Sequence, residues 1–437
     1  MTASESTSRL PDRVDLAVVG GGVCGSVCAA EAARRGASVA LLEKEGEVAE
    51  EGSGRSFGSL RVQGRHPAET PLAVDAIELW REAARTIGVD FELVQGGNLY
   101  VAEREAEVDQ LRRQLAEARA AGLADVRLLG PEEVREIVPS LTRRVAAGLY
   151  SARDAHCDPR QATRAYAALA EKHGAQIAVG TRAVDLLVAD GKIAGVRTER
   201  GDVRARAVVV AAGVWTPRLV RRLGIRIPIK PVIYSHAETS PVPPLFRATV
   251  RAFGFSCRQR PDGRIVLGAG LNARVGYEVA LGDLRDLGLW LPRYRAHWRQ
   301  IDLHFRPGRV WRDIRGVVGP PGRAVPVGAD PAPDPRTLRR AFEALADAMP
   351  AVRGAALARS WAGLIDLSPD GLPVLERPRR PDGLVLLTGL SGHGLAIAPV
   401  LGRILADLAL DGRTPYDIGP FRLARFDGAV PMPHRLI

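Results

Sequence analysis

The chain has 437 residues, 46% of them apolar and 25% charged, with a formal net charge of +11. That length exceeds what one hydrophobic core usually serves, so two lobes are expected. All but four of the 61 basic residues are arginine, spread along the chain with no basic run and no interleaved aromatics, which argues against a nucleic-acid surface and for anionic small molecules. Cys24, Cys28, Cys157 and Cys257 form no C-x-x-C pair and no group with histidine. They read as buried small residues in a reducing compartment, not as a metal site. The segment 1–12 is polar, without the apolar core of a signal peptide, and no stretch reaches the roughly twenty apolar residues of a membrane span. A cytoplasmic protein without a membrane anchor is the expectation.

The first element is the most informative. A strand-length apolar run, Leu16 to Val19, leads into Gly20, Gly22 and Gly25 in the pattern G-x-G-x-x-G. Ala29, Ala30, Ala32 and Ala33 continue at helical spacing to Gly36, and a second apolar run, Val39 to Leu42, closes on Glu43. This is a βαβ unit in which the glycines allow a tight turn, close backbone approach to a pyrophosphate and close packing of helix on strand. The helix N-terminus attracts phosphate, and Glu43 is placed to accept hydrogen bonds from ribose hydroxyls. The unit predicts an adenosine diphosphate moiety and leaves FAD and NAD both open.

The chain then runs through a glycine-rich loop, 52–67, an amphipathic helix over 70–87, a strand within 91–101 and a charged helix over 103–121 ending at Gly122. Asp158-Pro159 caps a helix to about His173. Strands are predicted at 175–179 and 183–188, a strand pair spans 193–206, and an apolar run, 207–216, reads as a further buried strand ending in a glycine turn at Ala212-Gly213. From about 224 to 353 the chain is proline-rich and β-leaning, with strands at 231–239, 253–259 and 264–269, a hairpin turn at Pro261-Asp262-Gly263, and a short helix at 337–348. The segment 383–410 is again strand, glycine turn and helix.

Three glycine turns therefore follow apolar strands at widely separated places: Gly20 to Gly25, Ala212-Gly213 and Gly389 to Gly394. A nicotinamide dehydrogenase has no evident use for the third, and the set favours a flavin threaded across one domain built from several segments. With V-V-G-G-G-V-C-G, A-A-G-V-W-T, W-A-G-L-I-D-L-S-P-D-G-L-P-V and T-G-L-S-G-H-G-L in that order, the chain resembles the D-amino-acid oxidase-like (DAO) family of FAD-dependent oxidoreductases. The motifs resemble most the flavin (beta) subunits of sarcosine, opine and proline oxidases and dehydrogenases.

The resemblance implies an α/β fold with a Rossmann-like FAD-binding domain of discontinuous segments, 1–75, 150–222 and 355–415. An α+β substrate domain with an antiparallel sheet, 76–149 and 223–354, and a C-terminal tail, 416–437, complete it. It places Gly20, Gly22, Gly25, Glu43 and Lys44 at the adenosine diphosphate, and Ser53, Gly54, Arg55 and Ser56 along the pyrophosphate and flavin. Val184 falls at a backbone contact to adenine, and Ala212, Gly213 and Trp215 where the chain passes the cofactor. Gly389, Ser391, Gly392, His393, Gly394 and Leu395 match the turn near the isoalloxazine, where backbone N–H groups and a helix end stabilise negative charge. Covalent members carry a cysteine near Gly363, so FAD is expected to be non-covalent here. An oxygen-activating lysine of the family aligns with Val266, which speaks against fast oxidase activity and leaves a dehydrogenase open; a carboxylate-binding arginine aligns with Ile365, so any carboxylate recognition comes from elsewhere.

Hydride transfer from a C–N bond asks mainly for positioning, so the search is for pocket residues. Arg61 is either a bidentate carboxylate clamp or a solvated loop arginine. Tyr234 and His236, two apart on one strand, share a face and either recognise substrate or are ordinary sheet residues. Trp361 either walls the cavity or sits in the core, Asp366 reads as a buried acceptor holding a turn, and His66 beside Pro67 reads as a helix-start residue. His393, inside the third glycine turn, is the leading catalytic candidate. The expected activity is oxidation of the CH–NH bond of an amine or amino acid to an imine, with hydride passing to flavin N5 and electrons to oxygen or an acceptor protein. A 2-hydroxy-acid oxidoreductase, a flavin subunit of a hetero-oligomeric electron-transfer complex and a nicotinamide-linked enzyme are the rivals; homo-oligomers are equally open.

Overall fold

The computed structural model describes residues 9–271, 275–278, 286–298, 301–304 and 331–428. Two sheets organise it. The first has eight strands, with the path β19 (Val374–Glu376), β20 (Leu384–Thr388), β11 (Gly201–Val210), β1 (Arg13–Val19), β2 (Val39–Leu42) and β8 (Gln176–Ala178). A hairpin, β9 (Ala183–Ala189) and β10 (Lys192–Thr198), extends from β11. The strands from β20 to β8 are parallel, and β20, β2 and the C-terminal four residues of β1 and β11 are buried without a break, as expected of strands covered on both faces.

The covering helices follow from small residues. In α1 (Val23–Arg34) every alanine is buried, and a Cβ added at Gly25 would lie 2.0 Å from the Gly20 carbonyl oxygen. Only glycine lets this helix sit so close to the strand that feeds it. Against α1 pack α5 (Pro159–Lys172) and α9 (Gly394–Leu410), and α2 (Thr70–Thr86) joins α9 through Trp80, whose Nε1 donates to Ala396 O at 3.1 Å. Asp158 caps α5 by accepting from Arg160 N and Gln161 N, as its position before Pro159 predicts.

The second sheet has ten strands, mostly antiparallel. Its path is β17 (Ile301–His304), β16 (Val275–Glu278), β12 (Lys230–Thr239), β15 (Ile265–Ala269), β14 (Phe255–Gln259), β13 (Thr249–Arg251), β4 (Asn98–Ala102), β6 (Ala147–Ser151) and β5 (Val126–Leu129), with β18 (Leu357–Leu367) on the other edge of β12. The turn 261–263 joins β14 to β15 as an antiparallel hairpin. Packed around it are α3 (Glu105–Ala120), α4 (Pro131–Ile137), α7 (Leu287–His297) and α8 (Pro335–Ala348). A two-stranded ribbon of β3 (Ser59–Leu60) and β7 (Ala155–His156) lies within the loop region, and α6 (Thr216–Val220) follows the second glycine turn.

Several expectations change. The run 207–216 is not a strand of its own: 207–210 is the end of β11, which leaves a hairpin with β10 and continues into parallel pairing with β1. Gly213–Trp215 then forms a 3-10 turn. The segment 355–415 divides between the sheets, since β18 bonds along the whole of β12 while β19, β20 and α9 belong with β1. The helix at 70–86 packs with the first sheet's core beyond residue 75. The tail docks, with Phe421 buried and Arg425 paired to Asp370 at 2.6 Å. Parts of 223–354, and residues 1–8 and 429–437, lie outside the described residues. Among the described residues no helix is long and apolar enough to cross a membrane.

Candidate functional site

A single elongated cavity of about 480 Å³ runs from the βαβ turn to the strands of the second sheet. At one end are Gly20, Gly22 and Glu43. Glu43 ends β2, and its buried carboxylate accepts from Gly21 N at 2.7 Å and from Glu45 N at 2.8 Å. Burial pushes this carboxyl above its ordinary range while the two N–H donors pull it down. Ser53 closes the turn, its Oγ accepting from Val23 N at 2.9 Å. Lys44, paired with Glu45 and Glu51, stands over the Trp215 ring, and Trp215 Nε1 donates to Glu51 at 2.8 Å. Arg55 holds the middle, donating to Glu50 O at 2.8 Å and Ala362 O at 3.2 Å.

Of the residues singled out from sequence, Gly20, Gly22, Glu43, Lys44, Ser53, Arg55, Ser56, Ala212, Gly213, Trp215, Gly392, His393, Gly394 and Leu395 line this cavity, as do Arg61, Tyr234 and His236. Gly25, Gly54, Val184, Gly389 and Ser391 do not; on β9 the lining residue is Ala183. Ser391, at φ +52°, is buried with its Oγ bonded to Gly389 O and against Ser368, so it shapes the turn from behind. His66 is exposed and accepts from Ala68 N, in keeping with a helix-start residue.

The far end of the cavity is aromatic. Tyr234 and His236 project from β12 with ring centroids 4.9 Å apart, and the His236 ring lies 5.5 Å from Phe57 and 5.9 Å from Trp361. In register, His236 sits between Gly268 and Trp361, and Tyr234 faces Gly363. A Cβ at Gly268 would come within 2.8 Å of His236 Nδ1, so the imidazole occupies room that another residue would take. Val266, two residues earlier, is buried away from the cavity. Burial, then the Arg258 and Arg251 charges, lower the His236 pKa to about 3, leaving a neutral ring. Its Nδ1 is buried without a protein hydrogen-bond partner among the described residues.

Two features were not read from the sequence. Arg251 on β13 lines the cavity with its guanidinium 5.6 Å from the Phe57 ring. Arg61, the arginine that was singled out, directs Nη1 to the carbonyls of Gln63 and Gly64, both at 3.0 Å. Asp366 is the turn-holding acceptor expected, taking a hydrogen bond from Thr388 Oγ1 at 3.2 Å while its carbonyl receives Ser391 N. It also lines the cavity, and burial raises its carboxyl to about 6.

The donor set suits a dinucleotide: a glycine turn open to the cavity, a helix N-terminus beside it, an acid fixed at the end of β2, and a long cavity leading to an apolar aromatic chamber. Residues 15–408 match the family described as FAD dependent oxidoreductase, DAO. The chain belongs to that family. This FAD-dependent oxidoreductase is 28% identical to glycine oxidase of Geobacillus kaustophilus, over 96% of this chain and 98% of that one. Among solved structures, L-proline dehydrogenase from P. horikoshii superposes with a TM-score of 0.77 at 25% identity, covering 96% and 99% of the two chains. The L-amino acid deaminase from Proteus myxofaciens, 22% identical, shares the fold with a TM-score of 0.88 over 98% and 96%.

Proposed function

We propose that this FAD-dependent oxidoreductase oxidises the CH–NH bond of an α-amino acid, primary or N-substituted, to an imine that water then hydrolyses. The observation that carries this reading is the pairing, at one end of the cofactor cavity, of the Arg251 guanidinium with the neutral aromatic wall of Phe57, Tyr234 and His236. The similar proteins named for glycine and proline support it. Gly20, Gly22 and Glu43 would hold the adenosine diphosphate, Ser53, Arg55 and Ser56 the middle of the cofactor, and the turn from Gly392 to Leu395 its reactive end. When bound, the flavin supplies a two-electron acceptor for the hydride. Gly363, without a thiol, supports a non-covalent cofactor.

The chain's own residues then have distinct tasks. Arg251 orients the substrate carboxylate through charge-assisted hydrogen bonds. A protonated amine has no lone pair to drive hydride loss, and a pocket lined by the Arg251 cation disfavours a further positive charge. The rings of Phe57, Tyr234 and His236 wall the amine and exclude water. Oxygen or an acceptor protein takes the electrons, and the four unpaired, buried cysteines support a cytoplasmic location. The test is Arg251→Gln assayed on an accepted amino acid and on its carboxamide. The amino acid is expected to lose about 100-fold in kcat/KM, about 2.7 kcal/mol, with little change for the carboxamide. Equal losses on both would refute the anchor.

A further inference from the structure

One atom in the cavity wall has two partners of opposite kind. His393 Nδ1 lies 3.3 Å from Glu69 Oε1 and 3.4 Å from Arg65 Nη1. A carboxylate only accepts and a guanidinium only donates, so the nitrogen satisfies one or the other according to whether it carries a proton. Bare, it accepts from Arg65; protonated, it donates to Glu69. Neither state leaves Nδ1 without a partner, and Glu69 Oε1, a buried acceptor that receives no hydrogen bond in the resting geometry, gains a donor when the ring is protonated.

The surrounding geometry fixes this arrangement. Arg65 Nη2 donates to His393 O at 3.0 Å and Arg65 Nε to Arg61 O at 2.7 Å, while Arg65 and Glu69 themselves stand 3.6 Å apart with side chains only 1% and 2% exposed. The charged groups facing His393 are Arg61, Arg65 and Glu69 of the 61–69 segment; Asp154 and Tyr100 face Arg65, and Asp366 of β18 supports the same turn. Burial, with the two arginines, holds the imidazole below its ordinary pKa, and Glu69 alone opposes them. The resting ring is therefore neutral at pH 7. His393 also caps α9 at the cavity, where a helix N-terminus favours incoming negative charge. With the adenosine diphosphate held by the glycine turn and Glu43, the reducible ring would lie along the same cavity near His393.

We propose that His393 takes up one proton on Nδ1 when two electrons enter the bound flavin and returns it on reoxidation, with Glu69 as the acceptor for the protonated state. The electrons come from the substrate, or in vitro from an electrode through mediators. One proton of the reduction goes to the flavin, and the second, drawn from solvent, goes to His393. The negative charge arriving on the cofactor supplies the drive, since an opposite charge nearby raises the affinity of an imidazole for its proton. This rests on flavin occupying the cavity and not on the identity of the substrate.

The test is the midpoint potential of the flavoprotein as a function of pH between 7 and 8, read as protons taken up per two electrons. The wild type is expected to take up two and His393→Gln one; Glu69→Gln, which removes the acceptor of the protonated state, is expected to fall towards one. Equal proton numbers in wild type and His393→Gln would overturn the proposal. Nitrogen NMR of histidine-labelled wild type needs no variant fold to survive. On reduction one imidazole is expected to change from neutral to cationic, and no change of charge at any imidazole would equally overturn it. Because no amino acid enters either experiment, failure here is distinct from failure of the substrate reading.

Discussion

Replacing Glu43 by glutamine tests the cofactor end of the site. The carboxylate accepts from Gly21 N at 2.7 Å and Glu45 N at 2.8 Å in a position 9% exposed. A hydrogen bond to a buried charged acceptor contributes about 1.5–3 kcal/mol. Glutamine keeps one acceptor and turns its NH₂ against the other N–H donor, so one such bond is lost and two donors oppose each other. Relief of the desolvation that raises the Glu43 pKa offsets part of this, leaving a net loss of about 2 kcal/mol in the stability of the turn, and replacing the charged acceptor for a ribose hydroxyl by a neutral one is expected to lower FAD affinity about 30-fold. Titration of apoprotein with FAD, followed by quenching of flavin fluorescence, measures that factor, and urea unfolding of the apoprotein separates binding from folding. An unchanged FAD affinity with a destabilised apoprotein would show that Glu43 serves the turn alone.

Gly25→Ala forces a methyl to within 2.0 Å of the Gly20 carbonyl, so α1 must lift from β1; about 3 kcal/mol of stability and most of the copurifying FAD are expected to be lost, by thermal melting and the visible spectrum. Full flavin content would contradict the close-packing argument. His156 is fully buried beside Arg247 O, and burial lowers its pKa from 6.5 to about 3. Between those values the unfolded chain binds the proton and the folded one does not, so stability present above pH 6.5 is lost as the pH falls. His156→Gln should shrink the difference in unfolding free energy between pH 7 and pH 5 by about 2 kcal/mol, and an unchanged difference would show that the ring titrates normally.

The cofactor end was legible because its signal is local. Strand, glycine turn, helix and acid lie within the thirty residues from Val14 to Glu43, and each residue type is required by a steric or electrostatic constraint. The turn at Gly389 to Gly394 was legible for the same reason. The chamber beyond it was not, because it depends on pairings far apart in the chain. His236 meets Trp361 and Gly268 only through the register of β12 with β18 and β15, and His393 meets Glu69 across 323 intervening positions. Arg251 is one of many arginines in the sequence, and only β13 places it on the cavity, which Arg61 also lines with its Nη1 on two carbonyls. The short strands β5 and β6 are not legible in the sequence, because four or five residues carry too little periodicity.

The account stands or falls on which compounds reduce the flavin. Anaerobic mixing of the purified yellow protein with primary amino acids, N-methyl amino acids, opines, amines without a carboxylate and 2-hydroxy acids, followed by the visible flavin band, reads this directly. Bleaching by one or more amino acids or their N-substituted forms, and by neither hydroxy acids nor carboxylate-free amines, is the predicted result. Bleaching by hydroxy acids alone, or by none of these compounds, would contradict it.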